Sequence, residues 1–176
     1  MKTKITVILI ISFFMGFAAS ASAQEMRAFS QEKWELTLVG SGSSDESFDG
    51  TTLSTEAAVG YFISDNMELV VRQGISFADR PGDNDWNGST RGAFDYHFDM
   101  YPLYPFIGAN FGMLYGDTVE EQFIAGPEGG LKCLVNDTTF LFGLIEYEFL
   151  FDDAEDADDN FDDGRFVYSI GIGFTF

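Results

Sequence analysis

The sequence predicts an all-β fold, an eight-stranded antiparallel up-and-down transmembrane β-barrel, on three observations. The last twelve residues, 165–176, alternate with period two: Phe166, Tyr168, Ile170, Ile172, Phe174 and Phe176 share one face, while Arg165, Val167, Ser169, Gly171, Gly173 and Thr175 share the other. Such a run is long enough for a tilted strand to cross a bilayer. The same alternation recurs along the chain, and its connections follow the order long, short, long, short, long, short, long. Finally, residues 24–176 contain no uninterrupted apolar run long enough for a membrane helix, so any crossing has to be made by a closed sheet that leaves no backbone group unpaired.

The amino terminus carries an export signal by pattern. Met1, Lys2, Thr3 and Lys4 form a basic start, residues 5–18 are apolar, and Ala21, Ser22 and Ala23 supply a small-residue cleavage site before polar Gln24 and Glu25. Residues 1–23 are therefore expected to be a signal peptide, and residues 24–176 a single outer-membrane barrel domain. Cleavage leaves 153 residues and, by removing Lys2 and Lys4, deepens the formal charge from −20 to −22. So acidic a chain is a poor partner for nucleic acid, because little remains to neutralise phosphates. Aromatic residues make up 16% of the sequence, an abundance suited to the girdles at membrane interfaces. Cys133 is the only cysteine, which excludes an internal disulfide and reads as a small apolar strand residue.

Taken in order, a leader at 24–32 precedes a first run at 33–42, with Trp34, Leu36 and Leu38 opposite Glu35, Thr37 and Val39. A glycine- and serine-rich loop lies within 40–50. The second run ends at Ile63 and sets Leu53, Ala57, Val59 and Tyr61 against Ser54, Glu56 and Gly60; Ser64, Asp65 and Asn66 make a tight turn. The third sets Met67, Leu69, Val71, Ile75 and Phe77 against Glu68, Arg72, Gly74 and Ser76. A long loop is expected over 78–88. The fourth places Thr90, Phe94, Tyr96 and Phe98 opposite Arg91, Ala93, Asp95 and His97, and a short connection follows at 99–102.

The fifth run, about 103–115, has Ile107, Ala109, Phe111, Met113 and Tyr115 on its oily side, with a loop expected over 116–125. The sixth, 126–135, sets Leu131, Cys133 and Val135 against Lys132 and ends in a turn at Asn136, Asp137 and Thr138. The seventh carries Leu141, Ile145, Tyr147, Phe149 and Phe151 opposite Glu146 and Glu148, and a loop at 152–164 leads to the last strand. Both termini and three turns then share one rim, and four loops share the other.

At this point the chain resembles the small eight-stranded outer-membrane β-barrels of Gram-negative bacteria, the group of the OmpA-type transmembrane domain and OmpX-like proteins. The resemblance rests on the closing Ser169-Ile-Gly171-Ile-Gly-Phe174-Thr-Phe176, and on Gly60-Tyr-Phe-Ile-Ser-Asp-Asn66, Phe94-Asp-Tyr-His-Phe98, Pro105-Phe-Ile-Gly-Ala109 and Leu131-Lys-Cys-Leu-Val-Asn-Asp137. It covers nearly all of the mature chain. It implies a place in the cell outer membrane, contact with its lipids and lipopolysaccharide, a monomeric barrel, and an assembly signal at Ser169, Gly171, Phe174 and Phe176 read by the outer-membrane assembly machinery. It implies little about activity, because members of the group do unrelated jobs.

Direction of the oily face separates a membrane barrel from a soluble lipocalin-like one. With that face outward, Glu35, Glu56, Glu68, Arg72, Arg91, Asp95, Lys132, Glu146, Glu148 and Arg165 point into a narrow lumen, where charges of both signs can pair into a polar core. Eight strands leave little open space, which disfavours a wide channel.

Two chemical readings remain. His97 is the only histidine, and a lipid A deacylase of this architecture would need a serine two residues later on the same face; that position is Asp99, while Ser54, Ser76 and Ser169 lie on other strands. A structural histidine paired with Asp95 or Asp99 is expected instead. The acidic loop offers Asp156, Asp158, Asn160 and Asp162 as oxygen ligands for Ca²⁺ or Mg²⁺, although Asp163 occupies the place where a calcium loop requires glycine. No cofactor is expected beyond such a weakly held cation. The expected role is a non-enzymatic structural or surface-display one through four extracellular loops; a narrow pore or small-solute transporter is the alternative.

Overall fold

A computed structural model describes residues 28–44, 51–80, 83–119, 121–151 and 164–176. The eight strands are β1 (Trp34–Ser44), β2 (Thr51–Phe62), β3 (Met67–Arg80), β4 (Asp83–His97), β5 (Leu103–Gly116), β6 (Gln122–Leu134), β7 (Thr139–Phe151) and β8 (Gly164–Thr175). Each pairs antiparallel with its sequence neighbours, and β1 pairs with β8 to close the barrel. Closure satisfies the β1 and β8 edges from Glu35↔Thr175 to Val39↔Gly171, which an open sheet would leave bare.

Period-two alternation sorts the side chains. Leu69, Val71, Phe94, Ile107, Phe111, Ile145 and Ile170 stand exposed on the outer wall, whereas Glu68, Arg72, Asp95, Glu128 and Glu146 are buried within. The oily face is the exterior, which excludes the lipocalin-like orientation. A polar cluster interrupts it: outward Gln73 donates to Tyr115 Oη (2.8 Å) and to the Ser89 carbonyl (2.9 Å) and accepts from Thr90 Oγ1 (2.9 Å). These groups satisfy one another on the wall, as a polar cluster facing hydrocarbon has to.

Three tight turns join the strands at one rim. Asn136 Oδ1 accepts from the amides of Thr138 (3.0 Å) and Thr139 (2.9 Å), the self-capped geometry that makes asparagine a turn residue, whereas Ser64 Oγ caps the first turn by accepting from Met67 N (3.1 Å) and Asn66 Nδ2 ties that turn to the His97 carbonyl (2.8 Å).

At the opposite rim two expected loops are largely strand. β3 and β4 stay in register to Arg80↔Asp83, leaving only residues 81 and 82 between them where a loop over 78–88 is expected. β6 begins at Gln122, four residues before the expected start, pairing Gln122 with Leu114. Backbone pairing carries the ladder on through stretches whose composition reads as loop, and exposed Trp86 and Phe123 continue the outward apolar row there. Pro127 also masks this start: β6 and β7 pair up to Ala125↔Phe149 and resume at Glu128↔Glu146, a gap that fits a residue with no amide to donate.

Candidate functional site: a layered barrel interior

The lumen is built in three layers. In the middle, Arg72 from β3 reaches Glu128 on β6 with both terminal nitrogens (2.6 and 2.7 Å) and Glu146 on β7 with one (3.3 Å); Asp95 lies 3.7 Å away. Arg91 from β4 donates to Glu146 (2.6 Å) and Glu148 (3.2 Å) and pairs with Glu56 on β2. Asn110 of β5 donates to Glu128 (2.9 Å) and Glu146 (3.2 Å). Six strands thus meet through bonds between their side chains, and such charge-assisted, partly bidentate contacts are directional enough to set how those strands sit.

Toward the turn rim, Lys132 Nζ is held by Glu35 (2.6 and 2.7 Å) and Glu68 (2.9 Å). Four aromatic rings surround the same ammonium, with centroids at 5.3 Å (Phe29), 5.4 Å (Phe106 and Phe140) and 5.7 Å (Phe62). Two carboxylates and a cage of ring faces are what a buried ammonium needs.

Phe29 comes from the leader. Its ring packs on Tyr104 (4.7 Å), Phe140 (5.3 Å) and Phe62 (5.5 Å), and it is only 3% exposed. The leader is stitched on by Glu32 N donating to the Phe62 carbonyl (2.9 Å) and by Phe62 N donating to that of Lys33 (2.9 Å). Phe29 is therefore a plug in the turn-side end of the barrel.

Small residues make this filling fit. A side chain at Gly173 would run into the Phe140 ring, and one at Gly130 into that of Phe106. Inward glycine opposite inward phenylalanine lets a narrow barrel hold large rings.

Toward the loop rim the filling thins. Arg165 Nε pairs with Glu148 (2.7 Å), but the Arg165 side chain is half exposed and stands at the mouth, short of the enclosed network expected for it. Above Arg91 and Glu56 lies a cavity of about 570 Å³ whose walls include Ser41, Ser54, Ser76, Ser89 and Ser169.

His97 lies at the other end. Its ring stacks on Phe106 (5.3 Å) and Phe29 (6.0 Å), with Nε2 3.4 Å from Glu68 Oε2. The expected pairing with Asp95 or Asp99 gives way to Glu68 on the neighbouring strand, because Glu68 lies opposite Asp95 in the β3–β4 register and reaches along the lumen. Ser54, Ser76 and Ser169 line the loop-side cavity, the barrel's length away from the histidine.

The structure thus brings Glu35, Glu56, Glu68, Arg72, Arg91, Asp95, Lys132, Glu146 and Glu148 together in the lumen, with Arg165 at their edge. Glu128, Asn110 and the inward rings Phe140 and Phe142 are additions. Parity would have found them: Glu128 is four residues from Lys132, and Phe140 and Phe142 share a face with Glu146. Ser169, Gly171 and Phe174 lie on β8, with Phe176 just beyond it and bonded through its amide to the Trp34 carbonyl (3.0 Å). Asp156, Asp158, Asn160, Asp162 and the signal peptide at 1–23 fall outside the described residues.

Comparison with solved structures now decides the fold. The N-terminal β-barrel domain of Pseudomonas aeruginosa OprF aligns over 84% of this chain and 99% of its own, with a TM-score of 0.55 at 17% identity. Outer membrane protein OprG of the same organism aligns over 86% and 99%, with a TM-score of 0.60 at 10% identity. This is the fold of the small outer-membrane β-barrels. Neisserial surface protein A shares the outer-membrane barrel fold too, over 81% of this chain and 94% of its own, with a TM-score of 0.50 at 16% identity. No protein-family profile and no curated protein sequence matches the chain. The shared outer-membrane barrel fold is thus a matter of architecture, reached at low identity.

Proposed function

We propose that the protein is exported by its N-terminal signal and resides in the outer membrane of a Gram-negative bacterium as a monomeric, non-enzymatic barrel that anchors and displays its four loop-side connections at the cell surface. One observation carries this reading: a closed barrel with an apolar exterior and an interior of paired charges, the inverse of a soluble barrel. Its partners on this reading are outer-membrane lipids and lipopolysaccharide, and the assembly machinery that would read Ser169, Gly171, Phe174 and Phe176. A cation at Asp156, Asp158, Asn160 and Asp162 would bridge the acidic segment to lipopolysaccharide phosphates.

The interior argues against the narrow-pore alternative. The loop-side cavity and a turn-side pocket of about 120 Å³ are separated by Arg72, Arg91, Glu128, Glu146 and Lys132, each at most 6% exposed. A hydrolase has as little support, with His97 walled by rings and far from the inward serines.

The test is an epitope inserted after residue 48 of the full-length chain in a Gram-negative host. Surface display predicts antibody binding to intact cells, heat-modifiable mobility of the folded protein, and no conductance in planar bilayers. An epitope reached only after lysis, or stepwise conductance, would overturn the reading.

A further inference from the structure

The two strands that close the barrel part company halfway. β1 and β8 pair only from Glu35↔Thr175 to Val39↔Gly171, although β1 runs on to Ser44 and β8 begins at Gly164. β1 keeps its pairing with β2 to the end, so the split lies on its β8 side alone. The loop-side cavity opens into it: its walls include Gly40 and Ser41 from one edge and Tyr168, Ser169 and Ile170 from the other. Gly40, Tyr168 and Ile170 belong to the outward rows, so this cavity passes through the wall instead of stopping at it.

The split faces the apolar belt. Gly42 is paired with Leu53, and Leu53 with Phe77, so the parted edges stand level with exposed apolar side chains on the adjoining wall. Ile170 (78% exposed) and Tyr168 (70%) are among the barest outer side chains, as they would be with one neighbouring strand gone.

From this geometry we infer that the β1–β8 split is a lateral port, and that its ligand is a single-chain amphiphile with an uncharged, hydroxyl-bearing head, drawn from the surrounding leaflet. Such a port presupposes the membrane reading above and follows from the chemistry of the edges. Alternation along β1 points the amides and carbonyls of Gly40 and Gly42 at β8, as it does for Trp34, which bonds Phe176 in both directions. Beyond Val39↔Gly171 no β8 partner meets them among the described residues, and glycine offers no side chain to cover them. Bare backbone of this kind facing hydrocarbon is strongly unfavourable, so a polar head that both donates and accepts is favoured there over a plain hydrocarbon. Behind it, the hydroxyls of Ser54 and Ser76, 2.9 Å apart, offer the same two-way bonding. Arg91 and Arg165 are each already paired with carboxylates, so among the described residues lining the cavity no cation is left free for an anionic head. The alkyl chain would leave between Gly40 and Ile170 into the bilayer. A volume of about 570 Å³ is within the range of small-molecule sites.

The experiment uses the mature chain folded into phospholipid vesicles containing a 1-monoacylglycerol with a diazirine beside its glycerol ester, irradiated and mapped by mass spectrometry. Adducts are expected on inward Ser54 and Ser76 as well as on outward Val71. Gly40→Trp places a ring over the split at a position where an added Cβ meets nothing within 4 Å, and Ile170→Trp does so from the opposite edge. In either variant the inward adducts fall to background while the Val71 adduct stays. Labelling of Val71 without Ser54 or Ser76 in the unaltered protein overturns the port and leaves the membrane reading standing. Inward adducts that persist in both tryptophan variants place entry at the loop rim and also overturn it. A chain that never enters vesicles removes both readings together.

Discussion

Arg72 and Glu128 meet across the lumen through two parallel hydrogen bonds of 2.6 and 2.7 Å, although 56 residues separate them in the chain. Strands β3 and β6 are not neighbours in the sheet, so this contact ties opposite walls together.

Removing one member strands the other. Arg72→Met is expected to lower unfolding stability in vesicles by about 3–5 kcal/mol, because Glu128 is left buried without its main counter-charge. Arg72→Met with Glu128→Met should lose less than the single change, since the uncompensated charge has gone. Urea titration of both variants measures this; a double variant as weak as the sum of its parts would contradict the pairing.

Phe29 stops the turn-side end of the barrel and helps enclose Lys132. Phe29→Ala should cost about 3–5 kcal/mol, the range for emptying a large ring from a packed site. The barrel should still close, because Glu35 and Glu68 keep hold of Lys132. Unchanged stability in a urea titration would show that the leader does not plug the end.

Two glycines on adjoining strands should behave oppositely. Gly173→Val pushes a side chain into the Phe140 ring and is expected to destabilise by about 1–3 kcal/mol or more. Gly40→Val meets nothing and should be neutral or mildly stabilising. Folding yield in detergent, read by gel mobility before and after heating, ranks the two; equal yields would contradict the inward placement of Gly173.

Much of this architecture is legible in the sequence because a barrel wall has only two environments, and a period of two is all that is needed to sort them. Leu69, Val71 and Phe94 against Glu68, Arg72 and Asp95 are read correctly for that reason. Ser64 and Asn136 mark their turns because their side chains cap them. Strand ends at the loop rim are not legible: Asp79 pairs with Asn84 and Gln122 with Leu114 in the ladder, and their composition looks like loop. Phe29 escapes as well, since its burial depends on the space left by Phe62, Tyr104 and Phe140 and on no local pattern. The parting of β1 from β8 is likewise not legible: β8 goes on alternating on the far side of Gly171, and the glycine- and serine-rich β1 beyond Val39 reads only as loop.

The central claim is that the apolar rows meet hydrocarbon, and Val71, 63% exposed near the middle of the outer row on β3, tests it most directly. The unfolding stability of Val71→Arg should be measured in phospholipid vesicles against the unaltered protein. A loss of about 2–4 kcal/mol is predicted, as for a charge held at the bilayer midplane. A change within about 0.5 kcal/mol, the ordinary effect of a substitution on a water-facing surface, would contradict the account.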